Sequence, residues 1–261
     1  MKLISLNTWG GKIYQPLINF IRQHSKDTAI FCFQEVLNTT SNVKEYRDIR
    51  ANLLDELTKI LSTFQSFYSI EIIGFDFTPD PVNFYLTMGK TIFIKKNVLV
   101  NSTDDILLFG DKSEKSLKKD FSNLAVTLQS IEFNIQGKKF TVVNIHGTAF
   151  PGTKLDTTLR LEHSSKIRRF LDSKKGAKIL VGDFNLLPKT RSIKIIEAEM
   201  RNLIKEFNIQ RTRSKLSPFY GRTEFQKFAD YTFVSSGIKV KSFEVPKVEI
   251  SDHLPMILKF S

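Results

Sequence analysis

Short runs of apolar residues recur along the whole chain and predict β-strands, because runs of about four to eight Ile, Val, Phe and Leu are typical of buried strands. The runs lie at 2–7, 28–33, 67–73, 91–95, 124–135, 139–145, 178–182, 229–235, 238–245 and 255–260. Between two of these runs, Gln136-Gly137-Lys138 predicts a tight turn that joins the strands as a hairpin. Part of the chain is therefore expected to form consecutive antiparallel strands.

Other segments place apolar residues at helical spacing. One amphipathic stripe consists of Ile49, Leu53, Leu57, Ile60 and Leu61, and a second consists of Leu159, Ile167, Phe170 and Leu171. The segment 104–123 carries many charged residues and predicts an exposed loop. Helices are thus expected between some of the strands but not between all of them.

This mixture of helix-linked strands and hairpins predicts sheets with both parallel and antiparallel pairs. We therefore expect an α/β fold in which two packed mixed β-sheets are covered by helices. The sequence contains no proline- or serine-rich linker and no repeat of fixed period, so residues 1–261 are expected to form one domain.

Polar side chains stand where predicted strands begin or end. Asn7 ends the first run, Glu35 follows the second, His146 follows 139–145, Asp183 and Asn185 follow 178–182, and Asp252 and His253 precede the final apolar stretch. Side chains at strand ends are held by a rigid scaffold yet open to a cleft, which is where sites of α/β proteins are usually built. These residues are our candidate site.

The residue types suit hydrolysis of a phosphoester, which needs a hard cation, a base for the attacking water and donors for the developing charge. Mg²⁺ prefers oxygen ligands and often uses only one or two protein carboxylates, so Glu35 and Asp252 are candidate metal ligands. We expect Asp183 to hold and activate the water, and Asn185 to donate to a phosphate oxygen.

Histidines are the candidate donors to the developing oxyanion. His146 and His253 can fill this role if an acidic residue such as Asp230 orients one of them. Other chemistries fit less well. The sequence has no closely spaced His and Cys pair for zinc, no Gly-x-Ser-x-Gly elbow, no Gly-x-x-x-x-Gly-Lys phosphate loop and no Rossmann glycine fingerprint.

The positive charge is concentrated in the second half of the chain. Residues 1–130 contain 15 Lys and Arg against 14 Asp and Glu, whereas residues 131–261 contain 24 against 13, out of a formal net charge of +12. Such asymmetry favours a polyanionic partner, either nucleic acid or an anionic membrane surface, although a solvated Lys-rich surface gives the same count. The basic segment 189–215 is open to both interpretations.

Cysteine content and hydropathy indicate the compartment. Cys32 is the single cysteine, so no intrachain disulfide can form, and its apolar neighbours predict a buried side chain. There is no apolar run of roughly 18 residues and no leader pattern before the first strand. We therefore expect a soluble cytoplasmic protein. His24 and His163 fall in helical patterns and are expected to be solvated.

Six short motifs stand in an order that resembles the endonuclease/exonuclease/phosphatase superfamily, which has the DNase I-like fold. They are Leu6-Asn7-Thr8-Trp9-Gly10, Phe33-Gln34-Glu35, Asn144-Ile145-His146-Gly147, Gly182-Asp183-Phe184-Asn185, Ala229-Asp230-Tyr231-Thr232-Phe233-Val234-Ser235 and Ser251-Asp252-His253-Leu254-Pro255. Each motif is weak alone, but the ordered set spans nearly the whole chain. The resemblance implies a four-layered sandwich and cleavage of phosphoesters that depends on Mg²⁺ or Mn²⁺.

The resemblance also implies a role for each residue. Glu35 is similar to the family's metal-binding glutamate, and Asp252 to a further carboxylate of the metal site. Asn7 resembles the amide that supports both metal and phosphate. Asp183 resembles the family's water-activating aspartate, and Asn185 resembles the amide that contacts the phosphate. Asp230 and His253 resemble the aspartate-histidine pair that stabilises the transition state.

Two positions bear on the branch of the superfamily. His146 stands where abasic-site endonucleases usually carry tyrosine, and Trp9 stands where several of them have an acidic ligand. The chain is therefore more similar to the deoxyribonuclease and neutral sphingomyelinase-like branches, and His146 is expected to contact substrate.

Three functions remain open on this basis. The first is a nuclease or nucleic-acid phosphodiesterase, favoured by the catalytic set together with the basic second half. The second is a phosphodiesterase or phosphatase acting on a phospholipid headgroup or a small phosphorylated metabolite. The third is a module that binds a phosphorylated ligand without cleaving it. A fold of this kind does not by itself specify the substrate.

Overall fold

The structure is a computed structural model that describes residues 1–113, 115–119 and 121–261. Its strands are β1 Lys2–Asn7, β2 Ile30–Asn38, β3 Glu45–Tyr46, β4 Ile49–Arg50, β5 Phe64–Ile73, β6 Thr87–Lys95, β7 Val100–Phe109, β8 Val126–Ile135, β9 Lys138–His146, β10 Ala177–Asp183, β11 Arg201–Asn202, β12 Asp230–Val234, β13 Val240–Glu244 and β14 Met256–Phe260. Its α-helices are α1 Tyr14–Ser25, α2 Leu53–Ile60, α3 Thr158–Ser173, α4 Arg191–Glu197 and α5 Leu203–Glu206, and a short 3-10 helix spans Trp9–Gly11.

Two large sheets of mixed pairing form the centre of the molecule. The first has the strand order β13-β14-β1-β2-β6-β5 and the second β11-β12-β10-β9-β8-β7. In the first sheet β1 runs parallel to β2, and in the second β9 runs parallel to β10, whereas the flanking pairs are antiparallel. The predicted α/β sandwich of two mixed sheets is confirmed.

The layers follow from the alternation of side chains along each strand. In β1, Leu3 packs into the core between the sheets, whereas Ile4 packs on the outer face against Leu17 of α1 and Leu53 of α2. Strand β2 does the same, because Cys32 faces the core between the sheets. Helices α3 and α4 contribute apolar side chains to the cluster that includes the second sheet. Cys32 is buried, as expected, because it lies between the two sheets.

The predicted hairpin between β8 and β9 is also confirmed. Ile135 pairs with Lys138, so Gln136 and Gly137 form a two-residue turn with φ angles of 49° and 74°. Positive φ at both central residues matches the right-handed twist of the strands that the turn connects.

Two structural expectations were wrong. The segment 104–123 was expected to be a loop, but residues 104–109 complete strand β7. The described residues of 110–123 do lie outside helices and strands, as expected. Strand β7 is an edge strand exposed on much of both faces, so its sequence lacks apolar alternation. Ile49 belongs to β4 and not to the helix that follows.

His163 also differs from expectation, since it is 5% exposed and bonds through Nδ1 to Thr148 Oγ1 at 3.1 Å. Burial lowers its pKa to about 4, which keeps the ring neutral at neutral pH. His163 lies in α3 as the pattern indicated, but on the face that packs against the second sheet.

Within the described ranges, no helix combines the length and the apolar character needed to cross a membrane.

Gly182 allows β9 and β10 to approach closely just before their functional ends. Its φ is 134°, and a Cβ atom added there would lie 2.0 Å from the carbonyl oxygen of Ile145. Any larger residue must push the backbone of Asp183 away from that of His146, because carbonyl oxygen and Cβ cannot share this space.

We expect Gly182→Ala to lower the free energy of unfolding by about 2 to 4 kcal/mol, since it combines a disfavoured φ with a backbone clash. Urea denaturation measures this change. The matched control is Gly237→Ala, where an added Cβ meets nothing nearer than 3.7 Å and the effect should stay within about 0.5 kcal/mol. Equal stabilities of the two variants would contradict the assignment of strain to Gly182.

Candidate functional site

The functional side chains meet because parallel strands of the two sheets end at the same edge. In the second sheet, Asp183 at the end of β10 lies in register with His146 of β9 on one side and with Asp230 of β12 on the other. In the first sheet, Asn7 ends β1 beside β2, which carries Glu35. Each sheet therefore contributes polar groups to one shared cleft.

All eight residues predicted for the site lie together. Hydrogen bonds or ion-pair distances within the set are Asn7 Nδ2 to Asp183 Oδ2 at 3.1 Å, Asn185 N to Asp183 Oδ1 at 2.8 Å, His146 Nε2 to Glu35 Oε1 at 3.5 Å, His253 Nε2 to Asp183 Oδ2 at 3.6 Å, His253 Nδ1 to Asp230 Oδ2 at 2.9 Å and His253 Nε2 to Asp252 Oδ2 at 3.8 Å. The residues come from six separate points along the chain, and the fold gathers them.

Asp183 is the central carboxylate of this set and is 1% exposed. Burial raises the pKa of Asp183, but the nearby His253, His146, Arg213 and Lys154 outweigh burial and lower it below its ordinary value. Asp183 is therefore ionised at neutral pH and can accept a proton from water. Its two oxygens are already positioned by Asn7 and by the backbone N–H of Asn185.

Asp230 orients His253. Both carboxylate oxygens of Asp230 lie 2.9 Å from Nδ1 of His253, so the other ring nitrogen, Nε2, faces Asp183. Burial and Arg213 each lower the pKa of His253, yet Asp230, Asp252 and Asp183 raise it above its ordinary value. The orienting role that the sequence suggested for Asp230 has the geometry it requires.

His146 has an acidic partner that the sequence did not reveal. Glu71 Oε2 lies 3.1 Å from His146 Nδ1, and Glu71 Oε1 accepts from Lys90 Nζ at 2.6 Å. Burial lowers the pKa of His146, but Glu71 outweighs burial and raises it to about 9, so the imidazole is charged at neutral pH. Glu71 and Lys90 are 2% and 0% exposed. The available signal was one charged residue inside the apolar run 67–73, Glu71, and another directly before the run 91–95, Lys90.

Arg213 is a second functional candidate that was not singled out in advance. Its Nη1 donates to Asp252 Oδ2 at 2.8 Å and contacts His253, and its backbone forms an isolated β-bridge with His253. It belongs to the basic segment 189–215, which the sequence left open between a polyanion-binding and a solvated surface, so no single residue of the segment stood out.

Lys154 adds another cation from the loop after β9. Its Nζ donates to Asn185 Oδ1 and to the carbonyl oxygen of Ala149, both at 2.6 Å. Burial lowers the pKa of Lys154 to about 8. Arg160 fixes this loop, since its guanidinium is buried and donates to the carbonyl oxygens of Thr148, Ala149, Pro151 and Leu155.

Four of the eight described non-glycine residues with positive φ lie at or beside the site. Trp9, Glu35, Lys154 and Asn185 have φ angles of 50°, 53°, 57° and 53°, a region that residues other than glycine rarely adopt. Glu35 lies where the register between β2 and β6 shifts, which turns its side chain out of the normal alternation. Strained residues persist where the surrounding structure enforces them, and they often cluster at functional sites.

The carboxylates around Glu35 fit a divalent cation. Glu35 Oε2 is shielded from water and has no hydrogen-bond partner in the described part of the chain, and burial raises the pKa of its carboxyl. Ligand atoms of Glu35, His146 and Asp183 lie within 4.8 Å of one another, as do those of Asp183, Asp230 and His253. Bound cations commonly satisfy such buried carboxylates. Asp252 lies outside both groups and pairs with Arg213 instead.

Comparisons with known proteins bear on the family and the fold of the chain. Residues 4–253 match the Endonuclease/Exonuclease/phosphatase family. The fold is similar to that of a protein of this family from Leptotrichia buccalis C-1013-b, with 20% identity, a TM-score of 0.73 and coverage of 100% of this chain and 99% of that one. It is also similar to Bacteroides thetaiotaomicron VPI-5482 mannosyl-6-phosphatase Bt3783, with 17% identity, a TM-score of 0.69 and coverage of 100% and 99%.

A third similar structure is the catalytic domain of human Nocturnin with a bound sulfate anion, with 17% identity, a TM-score of 0.68 and coverage of 100% of this chain and 93% of that one. A comparison with curated proteins finds no match. At these identities the structural similarity establishes the shared fold.

The buried Lys90 is expected to matter for stability, because its removal leaves Glu71 in a dry interior with His146 as its remaining cationic partner. We expect Lys90→Met to lower the free energy of unfolding by about 3 to 5 kcal/mol in urea at pH 7. The control is the double variant Lys90→Met/Glu71→Gln, which removes both charges and should recover much of the loss.

The pH dependence of the free energy of unfolding is a second measure of the pair between Glu71 and Lys90. Burial raises the pKa of Glu71, but Lys90 and His146 outweigh it and lower the pKa to about 2 from an ordinary 4.5. The stability that Glu71 contributes is thus present above pH 4.5 and is lost as the pH falls toward 2. In Lys90→Met the folded-state pKa of Glu71 should rise, because a cation beside it is lost, so the fall in stability between pH 4.5 and 2 should be smaller than in wild type. Unchanged curves would contradict a paired, ionised Glu71.

Proposed function

Because the chain belongs to the Endonuclease/Exonuclease/phosphatase family, whose members include nucleases, phosphatases and phosphodiesterases, we propose that it is a divalent-metal-dependent phosphoester hydrolase. We further propose that residues 1–261 act as one catalytic domain and that the substrate is a nucleic acid. The observation that carries the proposal is the ionised, buried Asp183 held among Asn7, His146 and His253.

In this proposal, Glu35 is the principal metal ligand, because its buried Oε2 has no partner among the described residues. Asn7 and Asp252 would complete the metal site, and Asp252 would have to exchange its ion pair with Arg213 for the cation. A bound Mg²⁺ or Mn²⁺ would supply positive charge at the phosphoryl oxygens. Proton transfer and charge stabilisation fall to side chains of the protein.

Asp183 is the general base. Its ionised carboxylate accepts a proton from the attacking water, and its hydrogen bonds to Asn7 and to the backbone N–H of Asn185 keep it in one orientation. Asn185 Nδ2 donates to the carbonyl oxygen of Gly147, and Asn185 Oδ1 accepts from Lys154. The Asn185 side chain is thereby held beside the site, where it is proposed to contact a phosphate oxygen.

The two histidines stabilise the charge that develops on the phosphoryl group. His253 presents Nε2 because Asp230 holds Nδ1, and His146 presents Nε2 because Glu71 holds Nδ1. Arg213 and Lys154 add two cations near Asp183. Preorganised donors of this kind act strongly in a site from which water is excluded.

A nucleic acid is favoured as the substrate by the charge distribution. Residues 131–261 carry 24 Lys and Arg against 13 Asp and Glu, and this half supplies Lys154 and Arg213. Basic side chains that neutralise backbone phosphates release counterions and raise affinity for a polyanion.

A small phosphate ester is the second candidate substrate. The similarity to a mannosyl-6-phosphatase supports it. A phospholipid headgroup belongs to the same class of phosphoester, and His146 with Trp9 favours it by resemblance. Activity on such esters but not on oligonucleotides would favour this alternative.

The test is a substrate panel assayed with Mg²⁺ and with Mn²⁺: single- and double-stranded DNA and RNA, a sugar phosphate and a phosphorylcholine lipid. We expect cleavage of nucleic acid that a chelator abolishes. Asp183→Ala should lower turnover at least about a hundredfold while circular dichroism and urea stability show a folded protein. Glu35→Gln should raise the metal concentration needed for half-maximal rate. No metal-dependent turnover on any substrate would contradict a hydrolase and favour a binding module.

The pKa of Lys154 predicts a specific pH profile. Since the ammonium loses its proton as the pH rises through about 8, kcat/KM should fall by about tenfold above that pH. Lys154→Arg keeps its charge and should not show this fall, whereas Lys154→Met should have a low, pH-independent value across the same range. An identical alkaline limb in wild type and Lys154→Arg would exclude Lys154 as its source.

A further inference from the structure

A pocket with a volume of about 520 Å³ opens directly beside the catalytic residues. The loop after β9 forms one wall, with Ala149, Phe150 and Lys154, and the segment before β12 forms the other, with Arg213, Phe219 and Gln226. Gln226 Nε2 donates to the carbonyl oxygen of Gly152 at 2.8 Å and so links the two walls. The volume lies within the range typical of small-molecule sites.

The pocket and the catalytic centre share two cations. Lys154 bonds Asn185, Arg213 bonds Asp252, and both side chains line the pocket. A phosphate held by these cations would therefore carry its neighbouring substituent into the pocket. The occupant is thus expected to be covalently attached to the phosphoester that reacts.

The walls of the pocket are aromatic and mainly apolar. Phe150 stacks on Phe121 with ring centroids 6.0 Å apart, which holds its ring in place. Phe219 is 48% exposed although it is large and apolar. Next to it, Tyr220 is 43% exposed, packs against Phe225 and lies under the guanidinium of Arg211. Exposed aromatic rings beside basic residues are typical of surfaces that stack unpaired bases.

From these observations we infer that the pocket binds one unpaired nucleobase of a single-stranded substrate, next to the bond that is cleaved. This inference rests on the proposed nuclease function and narrows it. A base within a duplex is stacked and paired, so it cannot enter a concave pocket unless it is flipped out at a cost in free energy. Ser217, Glu224 and Gln226 supply polar groups at the pocket lining for the edges of the base.

The experiment compares matched oligonucleotides of one sequence in the presence of Mg²⁺. One is single-stranded, one is annealed to its complement, and a series carries a single abasic residue moved stepwise across a preferred cleavage position. We expect single strands to be cleaved at least about tenfold faster than the duplex. We also expect one abasic position to lower kcat/KM for the adjacent bond about tenfold or more, as stacking of one base would.

Substitutions at Phe219 assign the effect to the pocket. Phe219→Ala should raise KM for the single strand and should reduce the ratio of kcat/KM between the intact and abasic strands to near one. Phe219→Trp, which keeps an aromatic surface, should retain the ratio. The matched control is Leu99→Ser, because Leu99 is also an exposed apolar residue, at 79%, but lies outside the pocket. The KM of Leu99→Ser and its ratio of kcat/KM between intact and abasic strands should match those of wild type.

A direct binding measurement does not depend on turnover. An oligonucleotide with 2-aminopurine at the sensitive position should change its fluorescence on binding to Asp183→Asn, and a duplex with the same label should not. Equal cleavage of intact, abasic and duplex substrates, with no fluorescence change, would overturn the base pocket but leave the nuclease proposal standing. Absence of cleavage of every oligonucleotide, with turnover of a sugar phosphate or lipid, would overturn both.

Discussion

The burial of Asp183 is the constraint on which the rest of the site depends. A carboxylate that is 1% exposed costs several kcal/mol unless cations and hydrogen bonds compensate for the lost water. His146, His253, Arg213 and Lys154 all lower its pKa, and Asn7 donates to it from the other sheet. The same groups that keep Asp183 ionised are those that can bind a phosphoryl group.

This compensation extends outward in two chains of contacts. On one side His253 is held by Asp230, and on the other His146 is held by Glu71, which pairs with Lys90 deep in the first sheet. Each histidine therefore presents Nε2 to the cleft in a fixed orientation. The dry interior strengthens these ion pairs, and it also makes loss of either partner costly. Stability and function are coupled through the same residues.

Two loops border the cleft and shape its opening. Arg160 donates to four backbone carbonyl oxygens of the loop after β9 and so fixes the position of Lys154. The segment that carries Arg213 forms the opposite wall. Members of this family share the sandwich and differ in substrate, and loops of this kind are where binding residues are disproportionately found.

Much of the fold and most of the candidate site could be predicted from the sequence by itself. Apolar runs that end in Asn7, His146 and Asp183 predict strands, because local hydrophobic periodicity depends on the sequence alone. The ends of such strands meet at one edge of the sheets, which brings these residues together. Only the tertiary structure decided which other charges join the site. Glu71 and Lys90 lie in strands that are otherwise mainly apolar, whereas Lys154 and Arg213 lie in loops. The inward orientation of these four side chains depends on strand register, on the bonds of Arg160 and on pairing between distant segments. Strand β7 was missed for a related reason, since an edge strand exposed on both faces has no apolar alternation, and long-range pairing with β8 alone defines it.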